Sequence, residues 1–118
     1  MSLAPIKPQI SIDDLKKIDI RVGTIEHVAD VPNSEKLVAL TVDFGDHKRC
    51  ILAGIKKERS NPKELEGRQA LFVVNLAPRK MAGVVSEGML FDLGYADGLE
   101  APALAMPERP IPNGTRAE

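Results

Sequence analysis

Apolar side chains in this chain recur with a period of two, in short runs that each end at a glycine, proline or asparagine. Ile18, Ile20 and Val22 alternate with Asp19 and Arg21, and Val38, Leu40, Val42 and Phe44 alternate with Ala39, Thr41 and Asp43. Successive strand residues face opposite ways, so this period writes half-buried strands. A helical signal is confined to the stretch from Ser11 to Ile18. Ser11 can cap, Asp13 and Asp14 suit the positive end of the helix dipole, and Leu15 and Ile18 would form the buried side of one or two turns. The chain must therefore fold mainly as short strands.

The strands can be counted. After Gly23 the apolar phase shifts to Ile25, as a bulge or barrel corner would require. Asp30 to Ser34 is a turn signal, and Gly45-Asp46 allows a tight hairpin between the strand ending at Phe44 and Lys48–Ala53. Asn61-Pro62-Lys63-Glu64-Leu65 reads as one capped helical turn ended by Gly67. Arg68–Asn75 is a central strand, 78–83 a loop and Val84–Leu93 a fifth strand. Five strands with a small helix between the third and fourth match the order of the OB-fold, a five-stranded Greek-key barrel. An immunoglobulin-like sandwich wants about seven strands. The expected organisation is an N-terminal arm over 1–10, an OB-fold domain over 11–93 and a C-terminal extension over 94–118. That extension holds four prolines yet also Leu99, Leu104, Met106 and Ile111, so it should pack on its own barrel or on a second copy of the chain.

Charge gives little direct guidance to a partner. The 118 residues carry a net charge of −1. Residues 1–91 hold fourteen Lys and Arg against twelve Asp and Glu, and residues 92–118 hold two against five. An anion site must therefore be a local cluster rather than a general basic field. The longest apolar run, Ala70–Val74, is too short to cross a bilayer, and no secretory signal is evident. A lone Cys50 fits a reducing, cytoplasmic setting.

Enzyme chemistry has no candidate constellation. His27, His47 and Cys50 fall in no zinc-ligand spacing, and no phosphate-cradling glycine loop is present. Ser86 and Glu87 are strand neighbours and should face apart. No catalytic role, metal or cofactor is expected. The usual ligand surface of an OB-fold is the face of strands 2 and 3 with the loops joining strands 1–2 and 4–5. The second of these loops carries Pro78-Arg79-Lys80-Met81: a stiff approach, a planar fork for phosphate or a base edge, a point charge and a soft apolar tip. Asn75 offers a donor and an acceptor at its start, and Lys36 approaches from the first loop. Arg79 and Lys80 could equally be plain solvated charges. Phe44, Phe72, Phe91 and Tyr95 are the only aromatics, and the phenylalanines sit where the core needs them. Several exposed stacking rings are thus out of reach, and folded RNA suits the chain better than a single strand.

The block from Asn75 to Leu90, NLAPRKMAGVVSEGML, resembles the signature of the tRNA-binding domain family, and so do Asp19–Gly23, Pro32–Leu37 and Val42–Gly45 in the same order. That family includes the C-terminal domain of many methionyl-tRNA synthetases, the domain of endothelial monocyte-activating polypeptide and stand-alone bacterial tRNA-binding proteins. The resemblance implies an OB-fold that grips tRNA by its outer elbow without catalysis. It implies RNA contacts at Asn33, Lys36, Asn75, Arg79, Lys80, Met81, Ser86 and Met89, with strand packing as the competing role of Ser86 and Met89. It further implies a homodimer built with the extension, around Pro107-Glu108-Arg109, acting either alone or in trans beside an aminoacyl-tRNA synthetase. A second reading comes from the CsaA branch of the family, whose members are export chaperones for unfolded polypeptides. The Asn33-Ser-Glu-Lys-Leu37 segment, which that branch lacks in good form, favours RNA.

Overall fold

A computed structural model describes residues 3–118; the first two residues of the expected arm lie outside the described residues. Its elements are α1 (Ile12–Leu15), β1 (Ile20–Asp30), β2 (Val38–Asp43), β3 (Lys48–Ala53), a 3-10 turn (Pro62–Leu65), β4 (Gln69–Val73), β5 (Arg79–Met81), β6 (Val84–Ser86), β7 (Met89–Leu90), β8 (Asp92–Leu93), β9 (Ala103–Leu104) and β10 (Arg116–Ala117).

The long β1 organises the sheet. Along one edge its first half pairs with β4, Ile20 opposite Val73 through Thr24 opposite Gln69. Along the other edge its second half pairs with β2, from Thr24 opposite Asp43 to Asp30 opposite Val38. The resulting order is β3-β2-β1-β4-β7, with β10 also on β1. This is the strand arrangement expected of an OB-type barrel, strongly curled and not fully closed. β3 and the β6–β7 segment meet through isolated bonds, such as Glu87 N–H to the Cys50 carbonyl at 2.8 Å, rather than through a continuous ladder. Ile25, Leu40, Ile51 and Phe72 have no exposed surface and fill the centre. Each such burial is worth about 1.5–3 kcal/mol.

The apolar phase change near Gly23 and the bulge expected there fall at different places. The register shift falls between Ile25 and His27, three residues beyond the glycine. Gly23 itself lies under β2, where an added Cβ would come within 2.5 Å of Val42 Cγ1 and 2.9 Å of Phe44 Cε1. The bulge bends β1, and the missing side chain lets the sheet curl over it.

Other expectations need correction. Ser11 does cap α1, its hydroxyl accepting from Asp14 N–H at 3.2 Å, but α1 has no buried residue, and Leu15 and Ile18 are exposed. Ile12, Leu15 and Ile18 instead border an open depression shared with Ile20 and Arg116. The second helical turn is 3-10, and Asn61 makes no side-chain cap bond; the turn is fixed by Leu65, which is buried in the core. The segment 78–83 is more than a loop, because Arg79–Met81 pairs with Val84–Ser86 as a hairpin. The fifth strand is broken into β6, β7 and β8. Phe44 and Phe72 are buried, and Phe91 is only half-buried.

The extension packs on the barrel of its own chain. Leu104 is 6% exposed and belongs to the core cluster. β9 pairs with β8, and the Ala105 carbonyl accepts from Leu71 N–H at 3.0 Å. Farther on, Val22 N–H donates to the Thr115 carbonyl at 2.9 Å and Gly114 N–H to the Val22 carbonyl at 2.7 Å, extending the β1 edge beyond the end of β2.

Candidate nucleic-acid interface

The cationic block stands on the β5–β6 hairpin. Met81 opposes Val84, so the connection is the two residues Ala82 and Gly83, with φ of 50° and 81°. Two positive φ values in a two-residue connection are those of a type I′ turn, whose twist matches the strands it joins. The hairpin alternates as a ribbon should. Lys80 and Val85 share one exposed face, while Met81 and Val84 are half-buried on the other.

Arg79 and Lys80 are exposed, and among the described residues neither lies in an ion pair or side-chain hydrogen bond. Most other cations are spoken for, including Arg21 on Asp19, Lys48 on Glu26 and Lys57 on Glu35. The register puts Arg79, opposite Ser86, and Lys80, opposite Val85, on the two faces of the ribbon, so the hairpin carries one unneutralised charge on each side.

The β1–β2 loop holds Asn33 and Lys36, both exposed. Asn33 takes a left-handed φ of 67°, which asparagine tolerates. Ser34 Oγ accepts from Leu37 N–H at 3.0 Å, and the Lys36 carbonyl accepts from Lys56 N–H at 3.0 Å. These bonds seat the loop beside the end of β3. The hairpin is anchored to the same strand, because Ser86 Oγ accepts from Leu52 N–H at 3.0 Å. Topology thus brings Lys36 and the hairpin to opposite sides of one strand end.

The remaining expected contacts divide. Ser86 is 3% exposed, and its hydroxyl donates to the Gly88 carbonyl at 3.2 Å, so both its hydrogen-bonding capacities serve the break between β6 and β7. Met89 is 45% exposed on β7 opposite Val73, with free apolar surface. The Asn75 side chain is exposed but committed: Oδ1 accepts from Asp19 N–H at 2.8 Å and Nδ2 donates to the Lys17 carbonyl at 2.7 Å. Beneath it, the Arg21 guanidinium holds the Asp19 carboxyl below its ordinary range.

Beside the hairpin root is an open depression of about 540 Å³, lined by His47, Arg49, Val74 to Pro78 and Glu87. Composition and spacing gave no reason to single out Arg49; its side chain matters through backbone carbonyls far away in sequence. Burial raises the Cys50 thiol above its ordinary value, which makes it a poor nucleophile. Among the described residues no group of three or more His, Cys, Asp or Glu side chains could hold a metal ion, and no helix is long and apolar enough to cross a membrane.

Fold and site together define a small open β-barrel with a cationic hairpin at its rim. Residues 20–116 match the family model described as "Putative tRNA binding domain", and the chain belongs to that family. Its relatives include the methionine–tRNA ligase of Parabacteroides distasonis, 41% identical over 114 residues. That match takes in 97% of this chain but only 16% of the ligase, so the chain spans about one-sixth of the length of such relatives. Among solved structures, a MetRS related protein from Pyrococcus horikoshii is 35% identical with a TM-score of 0.86, over 95% of this chain and 100% of that one. The chaperone CsaA from Bacillus anthracis is 30% identical with a TM-score of 0.79, over 94% and 100%.

Proposed function

We propose that this protein binds tRNA through the β5–β6 hairpin, recognising the folded contour of the RNA and catalysing nothing. The observation that carries the reading is that Arg79 and Lys80 stand exposed and unpaired on the β5–β6 hairpin within a chain of the tRNA-binding domain family. Phosphate contacts supply affinity without reading sequence, and the shortage of exposed aromatic rings argues against stacking on single strands. Lys36, Asn33, Met81 and Met89 widen the surface. Asn75 and Ser86 support it from beneath.

The working unit in this proposal is a homodimer acting in the cytoplasm, in trans beside an aminoacyl-tRNA synthetase. Ile6 and Ile10 are exposed on the arm, and the exposed Ile12, Leu15 and Ile18 line, with Ile20, an open depression of about 690 Å³ bordered by charged side chains such as Lys16 and Arg116. Exposed apolar side chains inside a charged rim suit an interface. Two copies also double the cationic surface offered to one bent polyanion.

The test is a salt titration of tRNA binding. Arg79→Ala and Lys80→Ala should each weaken binding to all tRNAs and lower the slope of log K against log salt by about one. Unchanged slopes would remove the hairpin from the interface. The same apolar arm and the likeness to a chaperone support a second reading, binding of unfolded polypeptide. Poly-U and an unfolded peptide as competitors separate the two: tRNA binding that resists both favours the first, and displacement by peptide favours the second.

A further inference from the structure

The cationic hairpin is part of an excursion, residues 75–86, that leaves the barrel after Val74 and returns at Glu87. Arg49 of β3 holds both ends. Its Nη1 donates to the Val74 carbonyl at 2.5 Å and to the Glu87 carbonyl at 3.1 Å. One guanidinium nitrogen thus closes the neck. Its Nε donates to His47 Nε2 at 3.0 Å, which fixes the plane of the fork. The next residue continues the seam: Glu87 N–H donates to the Cys50 carbonyl at 2.8 Å, and Cys50 N–H donates to Glu87 Oε1 at 3.2 Å. Among the described residues, no carboxylate lies in ion-pair contact with Arg49.

We infer that Arg49 is a positioning residue for RNA binding, setting the direction in which Arg79 and Lys80 project by clamping the two ends of their excursion. The inference rests on the tRNA-binding reading above. A two-stranded ribbon is marginally stable alone, so the orientation of this one depends on its attachment. The clamp is of the strong, charge-assisted kind, and the Nε bond to His47 aims the single nitrogen that makes it; a lysine keeps the charge and loses that aiming bond. Released at the neck, the ribbon spends part of its time pointing elsewhere. Apparent affinity then falls by the fraction of time lost.

The experiment compares the full chain with Arg49→Gln and Arg49→Lys, reading tRNA affinity over a salt series and backbone hydrogen exchange. The expected result is roughly a tenfold loss of affinity in both variants, corresponding to a productive population of about one-tenth, with no change in salt slope. Amides of 79–86 should exchange faster while those of β1 and β4 keep their protection. Should Arg49→Gln fail to fold, Arg49→Lys gives the same readout with the charge retained. A slope reduced by about one in Arg49→Gln would overturn the inference, because it makes Arg49 a direct phosphate contact. So would unaltered affinity, or unaltered exchange in the hairpin. Wild-type protein that does not bind tRNA would sink the functional reading instead, and the exchange data would still decide whether Arg49 holds the hairpin.

Discussion

Asn75 is bonded through its side chain to the backbone of Asp19, accepting the Asp19 N–H at 2.8 Å, and its amide nitrogen reaches the Lys17 carbonyl at 2.7 Å. The first residue of the excursion is therefore the hinge pin between β4 and the segment that leads from α1 into β1. Asn75→Ala removes both bonds and should cost about 1–2 kcal/mol, read as a thermal midpoint lowered by several degrees. Its salt slope for tRNA should match the wild type. A weakened affinity with unchanged stability would make the amide an RNA contact instead.

The connection at the hairpin tip carries its own cost. Ala82 sits at a φ of 50°, a conformation that disfavours any residue with a Cβ by about 1–2 kcal/mol. Asparagine tolerates it and, followed by glycine, is the favoured pair for this turn. Ala82→Asn should raise stability by about 0.5–1 kcal/mol in urea denaturation, and Ala82→Val should lower it. Equal midpoints for all three proteins would mean that the tip is not strained.

Glu58 and Asp92 give a pH dependence of one sign. Burial, then the charge of the Asp92 carboxylate and a hydrogen bond to it, raise the Glu58 pKa above its ordinary value. Asp92 Oδ1 is buried with no other partner, so a proton on Glu58 gives it one. The folded chain thus binds this proton more tightly than the unfolded chain. Its contribution to stability is fully present below the unfolded carboxylate value, about 4.3, and is lost as pH rises through the raised folded value. Asp19 and Glu66, both lowered, act oppositely: their contributions are present above the unfolded values and fall away toward acid. Glu58→Gln keeps the donor at all pH values. It should raise the midpoint at pH 7 relative to wild type, with the gain vanishing near pH 4; a gain independent of pH would refute the shared proton.

These relationships mark how far the sequence could be read. Val38–Phe44 and Arg68–Asn75 were legible because alternation and continuous apolarity depend only on near neighbours. Gly67 ends its turn for an equally local reason, at a φ of 90°. That the tail packs was legible from its apolar residues, but its strands were not. β9 and β10 are two residues each, too short to carry a period, and they exist because β8 and β1 offer them edges. Within the site, Arg79 and Lys80 could be picked out by residue type. The inward turn of Ser86 was one of the two roles left open for it, whereas Arg49 could not be picked out, since its partners are backbone atoms that only the curl of the barrel brings near.

The seam between tail and barrel predicts the effect of one methyl group. Gly114 has a φ of 89°, and a Cβ there would come within 2.4 Å of the Phe44 carbonyl oxygen. Backbone opposes it on one side and conformation on the other, so Gly114→Ala should destabilise by more than the ~1 kcal/mol of an ordinary glycine replacement. The residues freed first should be Gly114–Ala117, seen as faster exchange at Val22, whose N–H donates to Thr115. Unchanged protection at Val22 would mean that the tail does not hold the β1 edge.

The tail's place on its own barrel also changes how dimerisation should be tested. Truncating residues 94–118 would strip Leu104 from the core, and a Leu→Ala change at such a site alone costs about 2–5 kcal/mol. A truncated chain would then fail to fold before it reported on assembly. Leu15 is the better probe, because it lies on α1, where no residue is buried, and it lines the apolar depression with Ile12 and Ile18. Leu15→Glu should leave the fold of the single chain intact and place a charge where two copies would have to desolvate it. Light scattering should give a dimer for the wild type and a monomer for the variant. Affinity for tRNA should fall by on the order of 10² as the second cationic hairpin is lost from the complex. A wild-type monomer would refute the homodimer, and a variant dimer with undiminished affinity would place its interface elsewhere on the molecule.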